Sequence, residues 1–152
     1  MGNRSALSQA EIEHVLDRAF YIHLGLCADG EPYVVPVSFV YHQGAIFFHG
    51  SGKGRKMDML RANPRVCFQA LVDHGLRKPM DQRDACNFGV AYLSVTGQGT
   101  ARIIEDHEEK VEALKLLVSH YADGEFDLPD AKVKITTVVR IDVESMTGKR
   151  DE

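Results

Sequence analysis

The sequence predicts a small antiparallel β-barrel with helices packed around it. Three observations carry this reading. About six apolar segments of strand length follow one another, mostly joined by short turn signals. Two or three segments space their apolar residues as a helix does. One long strand contains Gly97 and Gly99, as expected where a barrel strand bends or bulges to turn a corner.

In chain order, Ser8 to Arg18 reads as a helix. Ser8 with Glu11 three residues later makes a capping box, and Ile12, Val15 and Leu16 form one apolar stripe. Phe20 to Ala28 reads as a strand, closed by an Asp29-Gly30 hairpin signal. The return strand runs from Pro32 to Tyr41 and contains Pro36. Proline cannot donate to a sheet ladder, so Pro36 marks an edge, a bulge or a place where something other than a strand approaches. His42-Gln43-Gly44 turns the chain into a third strand, Ala45 to His49, and these three are expected to form a meander. A short helix, Gly54 to Ala62, ends at Asn63-Pro64 and leads to a fourth strand, Arg65 to Val72. Asp73 to Gly89 is polar, irregular and long for a loop, so it reads as functional or mobile. Tyr92 to Ile104 is the long strand. Asp106 and Glu109 open a second capped helix, with Val111, Leu114, Leu117, Val118 and Tyr121 on its buried face. Ala122 to Asp130 reads as a loop, Lys132 to Val143 as the last strand, and the remainder as a frayed tail.

The chain has 152 residues, of which 44% are hydrophobic and 26% charged. That is ordinary for a globular protein and enough for one core, so a single domain over 1–152 is expected. A net charge of −4 makes the basic loop local and argues against a general nucleic-acid binder. No apolar run approaches the ~20 residues that span a bilayer, so no membrane partner is expected. No signal-peptide pattern opens the chain, and Ala6 breaks the acylation pattern of Met1-Gly2-Asn3. Cys27, Cys67 and Cys86 are odd in number and dispersed, which suits a reducing, cytoplasmic location. The seven histidines match no zinc-ligand spacing, so no metal is expected.

The chemistry concentrates between Phe47 and Pro64. Gly50, Gly52 and Gly54 alternate there with Ser51, Lys53 and Arg55, and Lys56 follows at the helix start. A helix N-terminus carries partial positive charge, so cations are misplaced there unless an anion binds. Backbone N–H groups, glycines and clustered cations together suit a phosphate. A Walker A loop fails, because Gly50 puts Arg55 where its second glycine belongs. The dinucleotide pattern GxGxxG fails at the same residue. Composition alone leaves a phosphate cradle and a solvated basic turn both open.

Phe48-His49-Gly50-Ser51, Gly54-Arg55-Lys56, Leu60, Asn63-Pro64 and Val66-Cys67-Phe68 occur in that order. They are accompanied by Gly30 to Phe39, by Tyr92-Leu93-Ser94-Val95 before Gly97 and Gly99, and by Thr147-Gly148-Lys149. Together these resemble the FMN-binding split-barrel superfamily, which includes pyridoxamine 5′-phosphate oxidase, and within it the nitroimidazole-resistance (Nim-like) branch. The resemblance spans about Ala19 to Lys149 and leaves Asp73 to Gly89 unplaced.

The resemblance implies a mostly β fold with some α: a six-stranded antiparallel Greek-key split β-barrel flanked by two to four short helices. It implies a homodimer with FMN at the interface, acting as an oxidoreductase on a small organic molecule. In the Nim-like branch that molecule is a nitroaromatic drug. By the same resemblance Pro36, Val37, Ser38 and Phe39 lie along the flavin ring, largely through backbone. Arg55 and Lys56 hold the FMN phosphate, with Ser51 and Lys53 as further contacts. His49 touches flavin or substrate, or is a structural histidine. Tyr92 and Ser94 approach the cofactor from one subunit or the other, and Lys149 closes the site or merely charges the tail. No residue stands out as a general acid or base, since Tyr92, His49 and Cys86 each have a structural reading. Two alternatives remain: the same fold binding deazaflavin or haem, with His49 or His74 as axial nitrogen, and a flavin-binding protein without turnover.

Overall fold

The structure is a computed structural model and describes residues 4–151; Met1-Gly2-Asn3, weighed above as an acylation signal, and Glu152 lie outside them. The described residues form eight strands and four helices, with four strands in succession between the first two helices. The strands are β1 (Arg4–Ala6), β2 (Ile22–Ala28), β3 (Glu31–Val37), β4 (Val40–His42), β5 (Ala45–Gly50), β6 (Arg65–Arg77), β7 (Gly89–Ile103) and β8 (Thr137–Asp151). The helices are α1 (Gln9–Arg18), α2 (Arg55–Ala62), α3 (His107–Tyr121) and α4 (Asp130–Ile135).

All strands belong to one antiparallel sheet in the order β3-β2-β6-β7-β8-β5-β4, with β1 beside the far end of β8. The expected segment Pro32 to Tyr41 is therefore two strands, not one. β3 is one edge of the sheet and β4 is the other, and only Ser38 and Phe39 connect them. The sheet must curl until its edges nearly meet there, which makes a split barrel. Two hairpins have two-residue turns, at Asp29-Gly30 and at Gln43-Gly44, each with both turn residues at positive φ. The predicted three-strand meander does not form, because β3 and β5 are at opposite sides of the split. Pro36 has its explanation here: β3 is an edge strand, where a missing N–H costs least.

The strand count is eight rather than six. β1 is a short addition, and the split divides one expected strand into two. At the end of the chain the expected strand from Lys132 begins instead as helix α4, and strand pairing starts only at Thr137. Residues 144–151 are not frayed; they pair with β7 on one side and partly with β1 on the other. The ends of the Asp73 to Gly89 segment, 73–77 and Gly89, join the β6–β7 hairpin, with a register shift between Asp73 and Gly75. Only 78–88 remains as a loop, containing one 3-10 turn, Ala85–Asn87.

Two cores hold these layers. The barrel interior is filled by Phe39, Phe48, Phe68, Ile22, Leu24 and Val95, and α1 adds Ile12, Val15 and Leu16. The capping box of α1 forms as expected: Ser8 and Glu11 exchange hydrogen bonds. The Ser8 backbone N–H, its hydroxyl and then the Arg150 guanidinium hold the Glu11 carboxyl down to about 2. A second core lies outside the barrel. Leu114 and Leu117 of α3 and Val133 of α4 cover Val40, Phe47 and Val138. No helix is long and apolar enough to cross a membrane among the described residues.

Candidate functional site

The phosphate-type loop runs from Gly50 at the end of β5 to the start of α2. Gly54 is the helix N-cap at φ +96°, with open space where a side chain would point. That conformation favours glycine, and it leaves the α2 N-terminus with no side-chain cap. The first N–H groups of α2 therefore have no capping side chain among the described residues. The loop is fixed from beneath by Arg61, which donates to the Gly52 carbonyl at 2.9 Å, and by the Lys53 N–H, which donates to the Ser51 hydroxyl at 3.3 Å.

Lys53, Arg55 and Lys56 have no carboxylate partner among the described residues. The Arg55 guanidinium lies 4.5 Å from the centre of the Tyr33 ring, and the Lys56 ammonium lies 5.3 Å from that of Phe48. Burial pushes the Lys56 ammonium below the usual lysine value. A half-buried cation without a counter-ion, beside an uncapped helix N-terminus, is an electrostatic arrangement that an anion would stabilise.

Alternation along β5 separates the residues around this loop. Phe48 belongs to the barrel core and Phe47 to the outer core. His49 follows Phe47 in phase, so it lies on the α3–α4 side, away from Lys56. There it lines a cavity of about 440 Å³ together with Ser38, Leu114, Leu117 and Lys132. Ser38 also lines a second depression, of about 410 Å³, with Tyr21, His23, Pro36 and Val37. The β3–β4 crossover thus has a hollow on each side. Phe39 itself is fully buried, and its backbone N–H is already engaged by Tyr121, so it is not exposed to either hollow.

Tyr121 holds that crossover in place. Its hydroxyl accepts from the Phe39 N–H at 2.8 Å and donates to the Phe20 carbonyl at 2.5 Å. The imidazole of His120 contacts the Ala19 carbonyl at 3.2 Å. Sequence reasoning placed Tyr121 only as the end of a helical stripe. It also missed Tyr33, Tyr21, His23 and Lys132, whose roles depend on the curl of the sheet. Tyr121→Phe leaves a backbone donor and acceptor without their partner and is expected to cost about 1–3 kcal/mol. Urea unfolding checks the magnitude, and faster amide exchange at Phe39 than at Val95 checks the place.

Tyr92, Ser94 and Lys149 are not brought to the loop. Ser94 lies directly opposite Lys149, and Tyr92 opposite Asp151, in the β7–β8 ladder. The loop meets β8 at its other end, where Gly50 pairs with Thr137. Lys149 is twelve residues further along, a contour of about 40 Å at the usual strand rise. Within one chain the two groups of expected site residues are therefore far apart along the sheet. On the face that carries Ser94, Leu71, Leu76 and Val90 are all exposed.

The sequence profile of the family described as Pyridoxamine 5′-phosphate oxidase matches residues 8–150. The chain belongs to this family. Its fold is the family's split barrel, and its likeness reaches the nitroimidazole-resistance side of it. A crystal structure of a candidate 5-nitroimidazole antibiotic resistance protein from Bacteroides thetaiotaomicron is 29% identical, with a TM-score of 0.86. That alignment covers 99% of this chain and 89% of the other. The flavocytochrome of Azotobacter vinelandii is 25% identical with a TM-score of 0.80, over 94% of this chain and 67% of that one. An uncharacterised protein of Rhizobium meliloti is 33% identical over 63 residues, so the match spans 41% of this chain and 41% of that relative's length.

Proposed function

We propose that the protein is an FMN-dependent oxidoreductase acting on a small organic molecule, with the flavin phosphate held at the start of α2. The observation that carries this is the uncapped N-terminus of α2 flanked by Lys53, Arg55 and half-buried Lys56, none ion-paired among the described residues. Split-barrel relatives named for flavin support the choice of cofactor. In this reading the α2 N–H groups and the Ser51 hydroxyl bind phosphate oxygens, and Arg55 and Lys56 neutralise their charge. Pro36, Val37 and Ser38 present the crossover backbone to the ring, held in place through Tyr121. Bound flavin supplies hydride or single-electron transfer, and the chain supplies orientation and water exclusion.

The same reading makes the protein a homodimer. The exposed apolar stripe Leu71, Leu76 and Val90 would be buried between subunits, and a second copy would bring Tyr92, Ser94 and Lys149 to the first copy's flavin. Size-exclusion chromatography with light scattering is expected to give twice the chain mass.

The cofactor is tested by the absorbance spectrum of the purified protein and by release of the bound group. A flavin spectrum with FMN released, and turnover of nitro or quinone compounds with NAD(P)H or dithionite, is the expected result. A Soret band would instead favour haem, which the flavocytochrome makes the second reading. A deazaflavin spectrum would change the cofactor and keep the loop, and stoichiometric FMN without turnover would leave a flavin-binding protein.

FMN affinity should also depend on pH. Burial favours neutral Lys56, so its proton leaves below the ordinary lysine value of 10.5. A bound phosphate reverses this preference. FMN binding is therefore expected to weaken as pH climbs through the lowered value, with net proton uptake on binding in that range. The free protein responds in the opposite sense. Its unfolded chain still holds the Lys56 proton there, so folding stability rises with pH across the same window. Calorimetric titration in buffers of different ionisation enthalpy, from neutral pH to 10.5, reads both the affinity and the proton count.

A further inference from the structure

The cavity beneath α3 and α4 has a composition that the phosphate site does not use. Its walls are aliphatic: Leu114, Leu117, Val118, Leu128 and Val133 all line it. Its volume of about 440 Å³ suits a small organic molecule. Its polar groups divide in two. The Tyr121 hydroxyl is engaged by Phe39 and Phe20, and the Thr136 hydroxyl donates to the Lys132 carbonyl at 2.8 Å. The side chains of Ser38, His49 and Lys132 make no hydrogen bond or ion pair among the described residues.

No carboxylate lines the cavity. The one acidic residue of α4, Asp130, is already taken by Lys134 at 2.7 Å and by His107 at 3.0 Å. Lys132, on the same short helix, is left without an ion pair among the described residues. Asp123, Glu125 and Asp127 on the covering loop are exposed and lie outside the lining, where solvent and salt screen them. An apolar cavity whose uncommitted groups are one cation, one imidazole and one hydroxyl is complementary to an apolar body carrying a single anionic group.

We propose that this cavity is the substrate pocket and that it selects small apolar, aromatic or branched, carboxylates, with Lys132 as the specificity-determining residue. Ser38 places the pocket against the β3–β4 crossover, so a bound acid adjoins the backbone assigned to the flavin ring. The word substrate rests on the flavin reading; the ligand class rests on the lining alone.

The test uses 1-naphthoate and its neutral analogue 1-naphthamide on the full chain, with and without FMN, followed by methyl NMR. Naphthoate is expected to shift the methyls of Leu114, Leu117, Val118 and Leu128. It should bind about tenfold more tightly than the amide, the scale of one charge-assisted hydrogen bond. Lys132→Gln, at an exposed position, should abolish that preference while leaving amide binding and the FMN titration unchanged. Equal affinity of acid and amide for the wild-type protein would overturn the proposal, as would shifts confined to methyls outside the pocket. If naphthoate selects the pocket but FMN fails to bind, the flavin reading falls and the ligand class stands. If FMN binds and the acid is not preferred, the reverse holds.

Discussion

Replacing Arg55 and Lys56 together with alanine is expected to weaken FMN binding by about 2–5 kcal/mol, at least roughly thirtyfold in Kd. Each side chain would lose a charge-assisted bond to phosphate. Their present contacts, over Tyr33 and Phe48, are worth only about 0.5–1 kcal/mol when partly exposed, so loss of these cannot account for an effect of that size. The fold should survive, because α2 is anchored through Met57, Met59 and Leu60, all buried. A fluorescence titration reads the affinity, and thermal unfolding of the free variant separates binding from stability. An unchanged Kd would show that the phosphate lies elsewhere.

The largest expected effect on stability is at Phe68. This ring is 1% exposed at the centre of the barrel core. Truncation to alanine is expected to cost about 3–5 kcal/mol. Its neighbour across the β6–β7 ladder is Gly97. A Cβ at Gly97 would fall 2.3 Å from Phe68 Cζ and 2.8 Å from the Ser145 carbonyl oxygen. Gly97→Ala is therefore an overpacking change, expected to cost about 1–3 kcal/mol. The two are coupled through one contact. Phe68→Leu shortens the side chain where the new methyl group would intrude, so the double variant should be more stable than the sum of the single losses predicts. Urea unfolding of the four proteins in this cycle measures the coupling. Strict additivity would mean that the Ser145 carbonyl, not the ring, sets the cost.

How much of this was legible beforehand depends on the range of the interactions. Ser8 with Glu11, Asp29-Gly30 and Asp106 with Glu109 are local signals, and each gave the right turn or cap. The Gly97–Gly99 pair did mark an irregular place, since the β7–β8 register shifts between Gln98 and Gly99. The need for Gly97 was not legible, because the ring that fills its space comes from β6. Lys132 to Ile135 read as strand because its apolar residues suit either period. The outer core took it as helix, by burying Val133 against α3. Residues 144–151 read as a frayed tail because they are polar. They are ordered by ladders to β7 and β1, whose residues are distant in sequence.

The candidate site divides in the same way. Gly54, Arg55 and Lys56 are adjacent, so their clustering at a helix start was readable from order alone. Pro36 was readable as an edge position, and β3 is an edge strand, with Pro36 opposite His23 of β2 on its one paired side. That His49 and Lys56 occupy opposite faces of the structure follows from strand phase at β5, which needed the observed strand end. That Ser94 and Lys149 are far from the loop follows from β8 running the length of the sheet.

Local neighbours in the sequence were enough for the capped helices, the tight turns, the mostly β class and the clustering of cations at the α2 start. Those properties arise from neighbours a few residues apart. Where the barrel splits, what Tyr121 holds and which residues line the cavity beside Lys132 became visible only in the folded chain. Each of those depends on contacts between segments brought together only when the sheet curls, and apolar patterning alone does not specify which edges meet.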